Sequence, residues 1–422
     1  MSAAAPREDG RLFHVLIADD IPEDGLAALA EDGRFRLVHR TGLTGDALAE
    51  AVAEADAVLV RSSTTLTRES LARAEHLQVI GRAGVGVDNI DVEAATERGV
   101  AVLNAPSGNT ISAAELTFAL LLSMARRIPA ADRSMRAGQW DRKSFKGIEL
   151  LGKTLGLIGA GRIGGEVARR ARAFGMRVLA YDPYLSEERA QGLDMELAEL
   201  DRVLAESDVV SLHVPLTDAT AGLLDAERLA SMKKGAYLVN AARGGVVDEA
   251  ALAEAVRSGH LAGAALDVYA DEPLPAEHPL RGVERIILTP HLGAATAEAQ
   301  QNVAVEIAEA VRDALLEGDL SRAVNAPALS GEEMRRLGPL LELAQRLGRL
   351  GRAMGGPRLK AVEVRLATDS EAALGPVAAA VVQGLLVDVL GPKAANLVNA
   401  FHLADLRGIE VRRVKTSEHA DY

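Results

Sequence analysis

The stretch Leu155–Ala168, "LGLIGAGRIGGEVA", decides how this 422-residue chain is read. An apolar run with the character of a strand ends at Gly159. The spacing Gly159-x-Gly161-x-x-Gly164 then opens onto a helical segment. The first glycine permits a tight turn, the second lets backbone approach a pyrophosphate, and the third lets helix and strand pack closely. The helix start offers unbonded N–H groups and a positive dipole end to phosphates. Alone the pattern is weak, because a tight turn with no ligand produces it too. Its surroundings strengthen it: the next apolar run, "RVLAYD", ends at Asp182, about twenty residues on, where an acid that binds ribose hydroxyls is expected. The following "DPYLS" offers no basic residue for a 2′-phosphate, which favours NAD over NADP.

Outward from this turn the same alternation continues. "TLGLIG", "RVLAYD", "DVVSLHVP", "AYLVN", "GAALDVY" and "RIILTP" are six apolar strands, mostly separated by helix-like segments, which describes a doubly wound sheet. Upstream lies a second βα series built from "HVLIADD", "DAVLVRSST", "LQVIGRAGVGVDNI" and "VAVLNAP", indicating another parallel sheet. The two series are joined by "SAAELTFALLLSMARRI", a long helix with Ser112 as a candidate N-cap. After the second series, "AEAQQNVAVEIAEAVRDALLEG" reads as a long amphipathic helix and "AVNAPAL" as a linker. From about Met334 come a Leu/Gly/Arg-rich helix, the strand "LKAVEVRL" and two more helical runs. A chain that begins one lobe, builds a second and returns by the long helix leaves the first lobe discontinuous.

Three polar residues stand at strand ends of the second series. Arg243 follows "AYLVNAA", Glu272 follows "GAALDVYAD" and His291 follows "RIILTP". In an open α/β sheet the carboxyl ends of the strands face the ligand crevice. Oxidising a hydroxyl by hydride transfer needs a base for the O–H proton, and histidine suits that task. A neighbouring carboxylate holds the ring and favours its charged form. An arginine can grip a carboxylate in bidentate fashion. His291 is therefore the candidate acid/base and Glu272 its partner. Asp267, in "ALDV", is a candidate hydrogen-bond partner for a nicotinamide carboxamide. The plainer alternatives are a strand-capping histidine, a solvated glutamate and a buried, capped aspartate.

Composition bounds the rest. The formal net charge of −13 argues against nucleic acid or an anionic membrane as a partner. An anionic substrate would need a local basic pocket. With no cysteine, thiolate catalysis, disulfides and cysteine zinc sites are excluded, and no metal is expected. "MSAAAPREDG" has no apolar core, so no signal peptide is read; residues 1–10 are expected to form a loose tail. The longest apolar stretch, "LTFALLLSMA", is far short of the ~20 residues of a spanning helix. The expected location is the cytoplasm.

At this point the motifs "GAGRIG…YD", "VNAARGGVVDEAAL", "GAALDVYADEP" and "TPHLGAAT" resemble the D-isomer-specific 2-hydroxyacid dehydrogenases. "LVRSST", "VIGRAGVGVDNID", "NAPSGNTISAAELTFALLLSMAR" and "GQWDRKSFKGIELLGKTLGLIG" resemble the branch acting on D-3-phosphoglycerate. The resemblance runs from about Val15 to Pro327. It implies an α/β fold of two doubly wound lobes, a Rossmann lobe inserted into a flavodoxin-like substrate lobe, plus a small α+β C-terminal segment. The expected boundaries are 11–107 for the first part of the substrate lobe, 108–294 for the NAD-binding domain, 295–329 for the return helix and 330–422 for part of an intervening domain. The implied activity is NAD-dependent oxidation of 3-phosphoglycerate to 3-phosphohydroxypyruvate, the first step of serine biosynthesis.

By the same resemblance Arg243, Glu272 and His291 are catalytic. Besides the three glycines, Arg162, Ile163, Asp182, His213, Pro215, Ala241, Arg243, Asp267, His291 and Gly293 fall at cofactor positions. Arg61, Ser62, Val85, Gly86, Asn109, Arg142 and Lys143 are the substrate candidates. Val85 stands where the family carries a threonine, so only a backbone contact can survive there. Phosphoglycerate needs two anion sites; Arg243 suits the carboxylate and Arg61 the phosphate, joined by Arg142 and Lys143. Those two lie beside Trp140 on a loop that, in the family, reaches into the neighbouring subunit. A homodimer through the nucleotide-binding lobes is expected, which the tail could extend to a tetramer.

Residues after about Ser330 resemble the start of the intervening domain that precedes an effector-binding domain in longer members. Ending at Tyr422 implies either a shortened form or a fragment that pairs with another chain, with an exposed sheet edge. Two other readings stay open: a dehydrogenase for a smaller 2-hydroxy acid, and an NAD-sensing binding protein of the corepressor type.

Overall fold

The structure, a computed structural model, describes residues 10–355, 359–368, 370–391 and 394–416. Apart from Gly10, the expected N-terminal tail lies outside the described residues. The chain forms two compact units: one runs to Gly108 and resumes at Gln300, the other spans Asn109–Ala299.

The first unit carries β1 (Phe13–Ile17), β2 (Phe35–His39), β3 (Ala57–Val60), β4 (Val79–Arg82) and β5 (Ala101–Asn104). Their order is β2-β1-β3-β4-β5 and every pairing is parallel. This is the flavodoxin-type order. Strands such as "AVLV" are buried along their whole length because helices cover both faces of the sheet. One covering element is the helix Ala297–Glu317, whose Val303, Ile307, Val311 and Leu315 join Val15, Ile17, Leu59 and Leu103 in one core.

The same unit includes the helices Gly331–Gly355 and Leu374–Leu390 and the parallel pair β13 (Ala361–Ala367) and β14 (Glu410–Thr416). Leu341, Val364, Val377 and Leu386 share a separate core there. Asn396 ties this region to the five-stranded part of the unit through a 2.7 Å bond from its amide to the Gly99 carbonyl.

The second unit carries β6 (Thr154–Ile158), β7 (Arg177–Tyr181), β8 (Glu196–Leu197), β9 (Val209–Leu212), β10 (Tyr237–Asn240), β11 (Gly263–Leu266) and β12 (Ile286–Leu288). Their order is β12-β11-β10-β9-β6-β7-β8. Strand order reverses between β6 and β9, the switch point at which such sheets bind ligands. β8 is a seventh strand that the sequence reading did not separate; two residues give no periodicity to detect.

The connecting helix also departs from expectation. It spans Thr110–Ala125 with Asn109 at the N-cap, so Ser112 lies inside the first turn and its hydroxyl meets Thr296 at 2.6 Å. It ends before "RRI" because Arg127 adopts a left-handed conformation, and a new helix runs Ile128–Arg136. No helix among the described residues is long and apolar enough to cross a membrane.

Candidate active site

The nucleotide turn has the shape its glycines predict. Gly159 has φ +91, and a Cβ there would lie 2.6 Å from the His213 carbonyl oxygen. A Cβ on Gly164 would lie 2.3 Å from the Gly159 oxygen, so the helix Arg162–Ala173 starts hard against the turn. Around Gly161 the space is open. Gly161 is the helix N-cap, no side chain caps it, and the first turn holds no acid. Its N–H groups are thus presented to an anion. Asp182 closes the far side: Oδ2 accepts from Ala160 N at 2.9 Å and Oδ1 from Tyr184 N at 2.9 Å. These features fit a dinucleotide. Arg162, Ile163, Pro215 and Ala241 all lie in this unit; the Pro215 carbonyl receives the Thr220 hydroxyl at 2.6 Å. The half-buried His213 ring meets the Ser211 hydroxyl at 2.9 Å, and burial pushes its pKa down to about 4.

β10, β11 and β12 are neighbours, with Asn240, Leu266 and Leu288 in register at their carboxyl ends. Strands lie about 4.8 Å apart, so residues just past these ends share an area about 10 Å wide. His291 Nδ1 meets Glu272 Oε2 at 2.7 Å. A carboxylate can only accept, so Nδ1 carries the proton and Nε2 is left as the base. His291 has φ +54, a conformation uncommon outside glycine. The strain is held by its own N–H, bonded to the Asp267 carbonyl at 2.9 Å.

Asp267 is fully buried. Its Oδ1 accepts from Thr289 Oγ1 at 2.6 Å and Leu292 N at 2.8 Å, and Oδ2 from Gly293 N at 2.9 Å. Desolvation raises its pKa, against the pull of those bonds. On the β10 side, Asn240 fixes the Arg243 turn, donating to the Arg243 carbonyl at 2.9 Å and accepting from Ala242 N at 3.1 Å. The Arg243 guanidinium donates to the Ala242 carbonyl at 2.6 Å.

In the first unit, the loop holding Arg61 and Ser62 is tied down by Asp19. Its carboxylate accepts from Arg61 N at 2.6 Å, Thr64 N at 3.2 Å and Thr64 Oγ1 at 2.7 Å. Arg61 Nη1 donates to the Asp20 carbonyl at 2.9 Å. The Asn89 amide bonds the Arg61 carbonyl at 2.7 Å, and the Asn104 amide the Val85 carbonyl at 2.6 Å, beside Gly86. Asn109, the first residue of the second unit, keeps a buried Oδ1 with no hydrogen bond among the described residues.

Sequence reasoning missed Asp19, Asn89, Asn104 and Asn240. A strand ending in acid ("ADD"), an amide after a glycine-rich turn (Asn89) and strands ending in an amide ("AVLN", "YLVN") were signals that could have found them. Arg142 and Lys143 are not brought to His291 within one chain. Both are exposed, and the neighbouring Ser144 carbonyl is bonded by Arg127, which also approaches Glu284 at 4.0 Å just before the start of β12. His291 lies past that strand's other end.

Comparison with known proteins gives the family. Residues 118–293 match the NAD binding domain of the D-isomer specific 2-hydroxyacid dehydrogenases, and residues 336–422 match the D-3-phosphoglycerate dehydrogenase intervening domain. A D-3-phosphoglycerate dehydrogenase from Synechocystis sp. is 44% identical over 97% of this chain and 73% of its own length. One from Mycobacterium tuberculosis is 47% identical over 97% of this chain and 76% of its own. Among solved structures, D-lactate dehydrogenase from Aquifex aeolicus, complexed with NAD and lactic acid, is 31% identical with a TM-score of 0.65, covering 74% of this chain and 100% of that one.

Proposed function

This chain belongs to the D-isomer-specific 2-hydroxyacid dehydrogenase family, and we propose that it oxidises D-3-phosphoglycerate to 3-phosphohydroxypyruvate with NAD, the first step of serine biosynthesis. The observation that carries this reading is the 2.7 Å His291–Glu272 pair beyond the strands of a nucleotide-binding sheet.

NAD, when bound, accepts the hydride. Gly159, Gly161, Arg162, Ile163 and Gly164 hold its pyrophosphate, and Asp182 the adenosine ribose. His213, Pro215, Ala241 and Gly293 line its course. A Cβ on Gly293 would lie 3.5 Å from Asp267 Oδ2, so the bare glycine leaves room beside that oxygen for the carboxamide. His291 Nε2 removes the hydroxyl proton, while Glu272 keeps the ring in the tautomer that leaves Nε2 free. Arg243 grips the substrate carboxylate and steadies charge on the reacting oxygen. Arg61, Ser62, Asn109 and the backbone at Val85 and Gly86 hold the rest of the substrate, with Arg61 on the phosphate.

We assign the domain boundaries as read from sequence, and a cytoplasmic homodimer formed through the nucleotide-binding lobes. Trp140, 79% exposed and followed by the charged Asp141, Arg142 and Lys143, suits an interface anchor. Arg142 and Lys143 would then serve the partner's site.

NADH absorbance with NAD and a panel of acids tests the reading. Turnover should be greatest with 3-phosphoglycerate. Equal or faster turnover of lactate or glycolate would give the activity to a smaller acid, and tight NADH binding with no turnover of any acid would make the chain a sensor.

A further inference from the structure

Behind the catalytic pair lies a second acid–histidine pair. Glu249, the first residue of the helix Glu249–Arg257, is buried, with a side chain only 7% exposed. Its Oε1 accepts from Ala270 N at 2.7 Å and its Oε2 stands 3.1 Å from His278 Nε2. His278 Nδ1 accepts from Leu280 N at 3.4 Å. With Nδ1 accepting, the His278 proton sits on Nε2 and points at Glu249. Glu249 therefore receives two donors, the state of an ionised carboxylate.

Ala270 is the position that matters. The preceding amide, Tyr269 N, donates to Glu272 Oε1 at 3.0 Å. Two consecutive peptide N–H groups thus point to two carboxylates: one is held by Glu249, the other holds Glu272. The Tyr269 hydroxyl anchors the same piece to the Leu266 and Thr289 carbonyls at 3.1 and 2.9 Å. The Arg243 turn abuts it as well, for a Cβ on Gly244 would lie 1.7 Å from the Tyr269 oxygen. One stretch of backbone is shared by the supports of Arg243, Glu272 and His291. Burial, Asp271 and Glu272 all push the Glu249 carboxyl pKa upward, while the Ala270 bond and His278 pull it down. The structure thus accepts an unfavourable carboxylate at this point.

We infer that Glu249, oriented by His278, is a positioning residue that fixes the Tyr269–Ala270 backbone and through it the Glu272–His291 pair. This rests on the catalytic roles proposed above. A missing side chain at Glu249 leaves Ala270 N without its acceptor; the 269–272 segment relaxes and Glu272 no longer holds the His291 Nδ1–H.

The test is a mutant cycle on the NAD-bound enzyme. Glu249→Ala, which removes the acceptor, should lower kcat about tenfold, with KM for NAD changed less than about twofold. In a Glu272→Ala background the same substitution should change kcat less than about twofold, because the group it acts through is gone. A signature that needs no turnover accompanies it: the ring ¹⁵N shifts of His291 should move from the Nδ1–H toward the Nε2–H tautomer in Glu249→Ala. An equal loss of kcat in both backgrounds, or an unchanged His291 tautomer, overturns the proposal. If Glu249→Ala does not fold, His278→Gln goes through the same measurements with the same deciding outcomes. The tautomer readout stands whichever acid proves to be the substrate, so failure of this inference and failure of the proposed function remain distinguishable.

Discussion

Replacing Asp19 by alanine should loosen the substrate loop without touching the catalytic pair. The carboxylate takes three donors, from Arg61 N, Thr64 N and Thr64 Oγ1. The Thr64 hydroxyl also reaches the Ala18 carbonyl at 3.1 Å, so it keeps a partner. Two peptide N–H groups lose theirs. At about 1–3 kcal/mol for each buried donor left unsatisfied, the loop's closed state loses about 2–6 kcal/mol. The lower part of that range is expected, because Arg61 N is only partly buried. About 2 kcal/mol corresponds to roughly a 30-fold larger open population. Amide hydrogen exchange over residues 57–66, read by mass spectrometry, measures that population directly. Exchange should accelerate roughly 30-fold in Asp19→Ala, with KM for 3-phosphoglycerate up about tenfold and kcat within about twofold. Acceleration below about threefold together with an unchanged KM would refute the reasoning, since the three bonds would then hold nothing that binding uses.

His291→Ala should cut kcat by ~10² or more, the usual worth of a positioned base; steady-state kinetics giving less than a tenfold loss would remove His291 from that role. Asp182→Ala should weaken NAD far more than NADP, because only NAD offers the ribose 2′-hydroxyl to the carboxylate; fluorescence titration showing equal weakening would mean the contact is wrongly assigned. His213, held neutral with a folded pKa of about 4, is protonated more readily in the unfolded chain, near ~6.5. Its contribution is whole above pH ~6.5 and is lost as pH falls toward 4. Thermal melts should therefore show wild type losing more Tm over that window than His213→Gln, and parallel curves would contradict this.

The architecture was legible because it rests on repeated apolar runs. "TLGLI", "VVSL" and "GAAL" are strands in the structure because a sheet covered on both faces needs uninterrupted apolar residues. Arg243, Glu272 and His291 were legible because each stands just beyond such a run. The residues that hold them were not. Asn240, Asp19 and Glu249 act on backbone amides, and a backbone donor leaves no mark in the sequence at the place it points to. The stop at Arg127 had its signal just past the stretch that was read: Pro129 sits in the first turn of the next helix and has no N–H to continue the preceding one, and Arg127 takes the left-handed turn between them. β8 was too short to show a period.

The pair β13 and β14 has consequences for handling the protein in solution. β13 alternates inward Val or Leu with exposed residues, β14 carries the exposed Arg412 and Arg413 side by side, and Glu363 with Arg365, and Glu410 with Arg412, form ion pairs along the outer surface. Such a ribbon is a poor template for stacking, because an incoming strand would have to strip water from fixed charges before gaining a single backbone hydrogen bond. Salt weakens that guard over distances of about a Debye length. Preparations in dilute buffer should therefore stay clear at concentrations where the same material in concentrated salt turns cloudy.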